Sequence, residues 1–147
     1  MTTGSNRGTP TSWERVLPFD VASVPVARQH VGRTLRSCGV NPTTADDAML
    51  VLTELVSNSI RHARPLPSGK LRIRCALRRA EIHLEVTDGG AATRPHVVRH
   101  PVTALSGRGL SIVDKLTRSW GVRSPAADAP DDAVTVYADV PMADEEN

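Results

Sequence analysis

The sequence predicts an α+β fold, a two-layer sandwich in which a mixed, mostly antiparallel sheet is covered on one face by helices. Three observations predict it. Apolar residues recur at helical spacing over two stretches in the first half of the chain. From Leu71 onward, segments alternate apolar and polar residues with a period of two, so each has one apolar side. The segments run strand, two helices, two strands, a long irregular stretch, helix, two strands.

Trp13 to Phe19 reads as a short strand closed by Pro18 and Asp20. A helix follows, with Ser23 as its expected cap and Pro25 tolerated in the first turn. Val24, Ala27, Val31, Leu35 and Cys38 form its apolar face, and Gly39 suits its C-terminus. Asn41-Pro42 breaks the chain. Thr43 or Thr44 is expected to cap a second helix, with Asp46 or Asp47 in its first turn. This helix runs to about Ala63, where Pro65 and Pro67 stop it; its apolar face holds Ala48, Leu52, Leu55, Val56, Ser59 and Ala63. Leu71, Ile73, Cys75 and Leu77 alternate with Arg72, Arg74 and Arg78, and Ile82, Leu84 and Val86 repeat the period. With Arg79-Ala80 as the turn, this is an antiparallel hairpin. Between Gly89 and Gly107 no period survives, and a loop of that length suggests a functional lid. A third helix starts at Arg108 or Gly109, with Leu110, Val113 and Leu116 facing inward. Trp120 to Arg123 is a short strand. Ser124 to Asp132 is a polar turn, and Val134 to Val140 is a final alternating strand.

The composition bounds what such a domain can be. A chain of 147 residues can bury one core without disulfides or a metal. Aromatic residues make up only 3%, so Leu, Val, Ile and Ala must fill that core. A formal charge of +2 is too small to imply nucleic acid by itself. Seven Lys or Arg fall between Arg61 and Arg79. Alternate-face arginines on a hairpin suit a solvated sheet face, and no aromatics interleave for base stacking, so no direct nucleic-acid partner is expected. No apolar run approaches the ~18–20 residues that span a membrane, so no membrane partner is expected either. Residues 1–12 are polar and lack the apolar core of a signal peptide. The expected organisation is a cytoplasmic chain with a disordered leader at 1–12, one domain at 13–141 and a disordered tail at 142–147. Cys38 and Cys75 fit no metal spacing and are expected to be buried small hydrophobes in a reduced compartment. His96 and His100 have no third ligand nearby, which favours a solvated loop over a metal site.

Three pieces carry chemistry. Glu54, Asn58 and His62 lie at i, i+4 and i+8 on the second helix and line one stripe offset from its apolar face. On spacing alone this is equally a surface ladder of hydrogen bonds. Asp88-Gly89-Gly90 closes a strand. It is either a turn, or a carboxylate placed to accept an exocyclic amine beside glycines that let a ring approach. Gly107-Arg108-Gly109-Leu110 opens a helix, where free backbone N–H groups attract phosphate. It is otherwise a hinge.

Together and in this order, the three resemble the motifs of the GHKL ATPase superfamily, which has the Bergerat fold. Glu54-Leu55-Val56-Ser57-Asn58-Ser59-Ile60-Arg61-His62-Ala63 looks like its N box. Asp88-Gly89-Gly90 resembles its first glycine box, and Gly107-Arg108-Gly109-Leu110-Ser111-Ile112-Val113 its second. The first glycine box often reads D-x-G-x-G, and its last position here is Ala92. The resemblance implies ATP and Mg²⁺ as cofactors. By position, Asn58 would be the metal ligand and Glu54 the catalytic base. Asp88 would accept the adenine amine, Gly90 would leave room for the ring, and the Gly107 and Gly109 backbones would meet phosphates. His62, Arg108 and Leu110 fall in the same nucleotide-binding set, and Thr135 would help Asp88 read adenine from the last strand.

At 147 residues, no transducer domain of a gyrase-type ATPase is expected. His30 lies on the first helix, but no second long helix pairs with it as in a histidine kinase's dimerising unit. The chain is most similar to the anti-sigma-factor serine/threonine kinases of the actinobacterial type. That resemblance implies two partners, a sigma factor that is sequestered and an anti-sigma-factor antagonist that is phosphorylated, and a homodimer is in keeping with the family. A nucleotide-binding protein-interaction switch without significant kinase activity is the alternative.

Overall fold

The computed structural model describes residues 12–90, 107–124 and 132–142; of 107–110 it describes the backbone alone. The order is β1 (Ser12–Pro18), α1 (Ser23–Ser37), α2 (Pro42–His62), β2 (Lys70–Leu77), β3 (Glu81–Asp88), α3 (Gly107–Leu116), β4 (Ser119–Arg123) and β5 (Val134–Pro141). The strands form one five-stranded open sheet in the order β1-β2-β3-β5-β4. Each of the four pairings is antiparallel. The helices pack on one face, as the α+β sandwich expected from the sequence requires.

Period-two alternation builds the core. Leu71, Ile73 and Cys75 of β2, Ile82, Leu84 and Val86 of β3, and Ala138 and Val140 of β5 point to the helix side and are buried. Ala27, Val31 and Leu35 of α1 meet them at helical spacing, as do Ala48, Leu52, Leu55 and Val56 of α2. Helix α2 is buried over a broad arc because it packs against α1, α3 and the sheet at once.

Helix ends follow local hydrogen bonding, and two differ from the sequence expectation. Ser23 does not cap α1. The N-cap is Ala22, without a side-chain bond, while the Ser23 hydroxyl donates to the Pro18 carbonyl at 2.7 Å. Asp20 Oδ1 instead takes the Ala22 N–H at 2.8 Å. Neither Thr43 nor Thr44 caps α2. Asn41 does, accepting from the Thr43 N–H at 2.8 Å, and Pro42 occupies the first helical position where no N–H is needed. At the end of α1, Gly39 has φ +82°. The Gly39 N–H reaches the Arg36 carbonyl and the Val40 N–H the Leu35 carbonyl, which is a Schellman closure. Helix α1 therefore stops before Cys38, whose thiol is exposed rather than buried. Cys75 is buried as expected, and burial pushes its thiol far up. No helix among the described residues is long and apolar enough to cross a membrane.

Candidate functional site

The C-terminal part of α2 carries the predicted stripe, and the helix packs against β3 and β5. Burial grades along it: Glu54 is half-buried, Asn58 is 2% exposed and His62 is exposed. Asn58 is the anomaly. Both its Oδ1 and its Nδ2 are shielded from solvent and find no hydrogen-bond partner among the described residues. A buried polar group without a partner costs about 1–3 kcal/mol, so an ordinary core position would not hold an asparagine this way. Glu54, one turn earlier, makes no hydrogen bond or ion pair among the described residues.

The next residue along α2 ties the helix to the sheet. Ser59 Oγ donates to Asp88 Oδ2 at 2.5 Å, and the Gly90 N–H donates to Asp88 Oδ1 at 2.8 Å. Burial pushes the Asp88 carboxyl above the usual carboxylate range, and these two hydrogen bonds act against it. The exit from α2 is fastened to the exit from β3. The Arg64 N–H donates to the Gly90 carbonyl and the Gly89 N–H to the Arg64 carbonyl.

Both glycines are demanded by the chain itself. A Cβ on Gly89 would strike the Pro65 carbonyl. Gly90 has φ +99°, and a Cβ there would lie 2.6 Å from the Asp132 carbonyl oxygen. The close crossing of Arg64–Pro65 and the approach of Asp132 thus explain Gly89-Gly90 without a ligand.

Gly107, Arg108, Gly109 and Leu110 form the first turn of α3, so the helix opens at Gly107 rather than at Arg108 or Gly109. Their N–H groups lack intrahelical acceptors, which leaves the turn suited to an anion. Helix α3 packs on α2, with Val113 fully buried.

Thr135 is not brought to Asp88. Its hydroxyl lies 2.6 Å from that of Thr87, on the sheet face away from the helices. The β5 residue opposite Asp88 is Val134. Ala92, His96 and His100 lie outside the described residues, as do residues 1–11 of the expected leader, residues 143–147 of the expected tail and most of the expected lid.

The structure therefore gathers Glu54, Asn58 and Asp88 on the helix side of β3, with His62 at the exposed end of the same helix. It adds Ser59, which the sequence reading placed among core residues. A hydroxyl on an apolar stripe, next to Asn58, was the available signal.

The model of the histidine kinase-like ATPase domain matches residues 17–133. The chain belongs to the histidine kinase-like ATPase family. The match runs from the end of β1 to the residue before β5, and takes in Glu54, Asn58, Asp88 and the opening of α3. Membership in this ATPase family supports ATP binding. Thr135 lies just beyond the matched residues. No curated protein matches the sequence.

Proposed function

We propose that this histidine kinase-like ATPase is an ATP-binding anti-sigma factor that also acts as a protein serine/threonine kinase. It would sequester a sigma factor and transfer the γ-phosphoryl group of ATP to a Ser or Thr of an anti-sigma-factor antagonist. The observation that carries the nucleotide part is the Asn58 amide, buried and without a partner among the described residues, one turn beyond Glu54 and one residue before the serine that holds Asp88. The kinase branch and both partners are carried by the resemblance of the three motifs.

The residues divide the work. Asp88, itself buried, accepts the adenine amine. The first turn of α3 offers backbone N–H groups to the phosphates. Asn58 Oδ1 fits Mg²⁺, a hard cation that takes oxygen ligands and keeps few protein contacts; when bound, it neutralises triphosphate charge. Glu54 is half-buried and free of partners among the described residues, as a base must be if it is to take the proton of the attacking hydroxyl.

The test is a calorimetric titration with ATP, with and without Mg²⁺, on wild type and Asn58→Ala. Mg²⁺-dependent binding that Asn58→Ala abolishes supports the site; a folded wild type that binds no ATP overturns it. The kinase step is tested separately with Glu54→Ala. That variant should keep ATP affinity and lose phosphoryl transfer to the antagonist by about 100-fold or more. Transfer at the wild-type rate removes Glu54 as base. A wild type that binds ATP and its partners but transfers nothing is a nucleotide-dependent switch instead.

A further inference from the structure

Asp88 is held at both oxygens. Oδ2 accepts the Ser59 hydroxyl from α2, and Oδ1 accepts the Gly90 N–H from the chain leaving β3. Neither anchor is loose. Ser59 is buried in the last turn of a helix packed on the sheet, and the Gly90 carbonyl is itself bonded to Arg64. The carboxylate cannot turn or shift without giving up a buried hydrogen bond. Each oxygen still has one unused lone-pair direction.

Position matters here because chemical type does not discriminate. A six-amino purine offers a donor at C6 and an acceptor at N1. A six-oxo purine offers an acceptor at C6 and a donor at N1. A carboxylate fixed opposite C6 takes the amine and repels the carbonyl. The same carboxylate, free to move by one ring position, accepts from the N1–H of the oxo purine just as well. A site that hydrogen-bonds a given substrate group rejects the analogue lacking it only while the acceptor stays in place.

We infer that Ser59 is a positioning residue that selects six-amino over six-oxo purine nucleotides, by pinning Asp88 Oδ2 from α2 while Gly90 pins Oδ1. The inference rests on the adenine-binding role of Asp88 proposed above. The same hydroxyl opposes the effect of burial on Asp88.

ATP and inosine triphosphate differ at C6 and in the N1 proton and share their sugar and phosphates, so their affinity ratio isolates the base edge. Both are titrated into the full chain as wild type, Ser59→Ala, Ser59→Cys, Asp88→Asn and the Ser59→Ala/Asp88→Asn double variant, each checked for folding by its thermal midpoint. Wild type should prefer ATP, and Ser59→Ala should lower that preference about tenfold. Ser59→Cys, which keeps the side-chain size with a weaker donor, should fall between them. In the Asp88→Asn background Ser59→Ala should change the ratio no further, because it acts through the carboxylate. A Ser59→Ala protein that binds ATP with the wild-type ratio, or loses both nucleotides in equal proportion, overturns the inference and leaves the ATP site standing. If Ser59→Ala does not fold, an unchanged ratio in Ser59→Cys overturns it equally. A wild type that binds neither nucleotide removes the adenine role of Asp88, and this inference with it.

Discussion

Strand β3 carries a buried polar cluster on each face, and the two are closed in opposite ways. On the face away from the helices, His83 is 7% exposed between two carboxylates. Its Nδ1 lies 2.6 Å from Asp139 Oδ1 and its Nε2 2.8 Å from Glu85 Oε2. A carboxylate oxygen thus lies within hydrogen-bond distance of each ring nitrogen. Arg123 donates to the same Glu85 oxygen at 2.8 Å and lies over the Tyr137 ring, which stacks on His83. Ser119 donates to the second oxygen of Asp139. Charges of both signs meet there, and β3, β5 and β4 are laced together by groups that need nothing further. On the helix face, among the described residues, Asp88 has two neutral donors and no charged partner, and the Asn58 amide has no hydrogen-bond partner. A complete network stabilises a fold, whereas an incomplete one is a standing cost that a ligand can offset. The two faces of one strand thus carry a closed structural cluster and the proposed binding site.

The comparison is sharpest if function and stability can be broken independently. Asn58→Ala removes a side chain that has no hydrogen-bond partner among the described residues and adds a better helix former. It should weaken Mg²⁺–ATP binding by about a hundredfold or more while the unfolding free energy stays within about 1 kcal/mol of wild type. A large loss of stability would mean that the amide is tied into the fold after all. His83→Ala should do the reverse. It leaves Glu85 and Asp139 facing each other without the ring between them, and should cost about 3 kcal/mol in a urea melt with ATP affinity unchanged. A small stability loss accompanied by weakened binding would reverse the assignment of the two clusters.

Much of this arrangement was legible in the sequence. Spacing alone placed Glu54, Asn58 and His62 on one helical stripe, because helical periodicity fixes which residues share a face. The caps were not legible: Ser23, Asn41, Thr43 and Thr44 are all good capping residues, and the choice depends on where the preceding turn leaves the backbone. Thr135 failed for a different reason. Alternation along β5 groups its residues into two faces but does not say which one meets Asp88. That depends on the pairing register, which sets Thr135 opposite Thr87 and Val134 opposite Asp88, and a shift of one residue exchanges the faces. Cys38 fits the apolar spacing of α1, but the helix closes just before it at the Gly39 turn. The Ser59–Asp88 bond joins residues 29 positions apart, and no local pattern announces it.

The smallest expected effect tests the same contrast through pH. Burial pushes Glu85 up, but hydrogen bonds from His83 and Arg123, and their charges, pull it below its ordinary value overall. A depressed carboxylate contributes stability above the ordinary carboxylate range, near ~4, and that contribution is lost as pH falls through its folded pKa. Asp88 is raised, chiefly by burial, so its sign is opposite. Its ionised form lowers stability at neutral pH, and the penalty is relieved as pH falls through its folded pKa toward the ordinary value. Thermal midpoints of wild type, Glu85→Gln and Asp88→Asn, measured from neutral pH down to the carboxylate range, should therefore diverge in opposite directions. The advantage of wild type over Glu85→Gln should shrink with falling pH, while wild type should gain on Asp88→Asn. Slopes of the same sign would show that Glu85 and Asp88 are solvated alike, and that the helix-face cluster is not the desolvated acceptor that reading adenine requires.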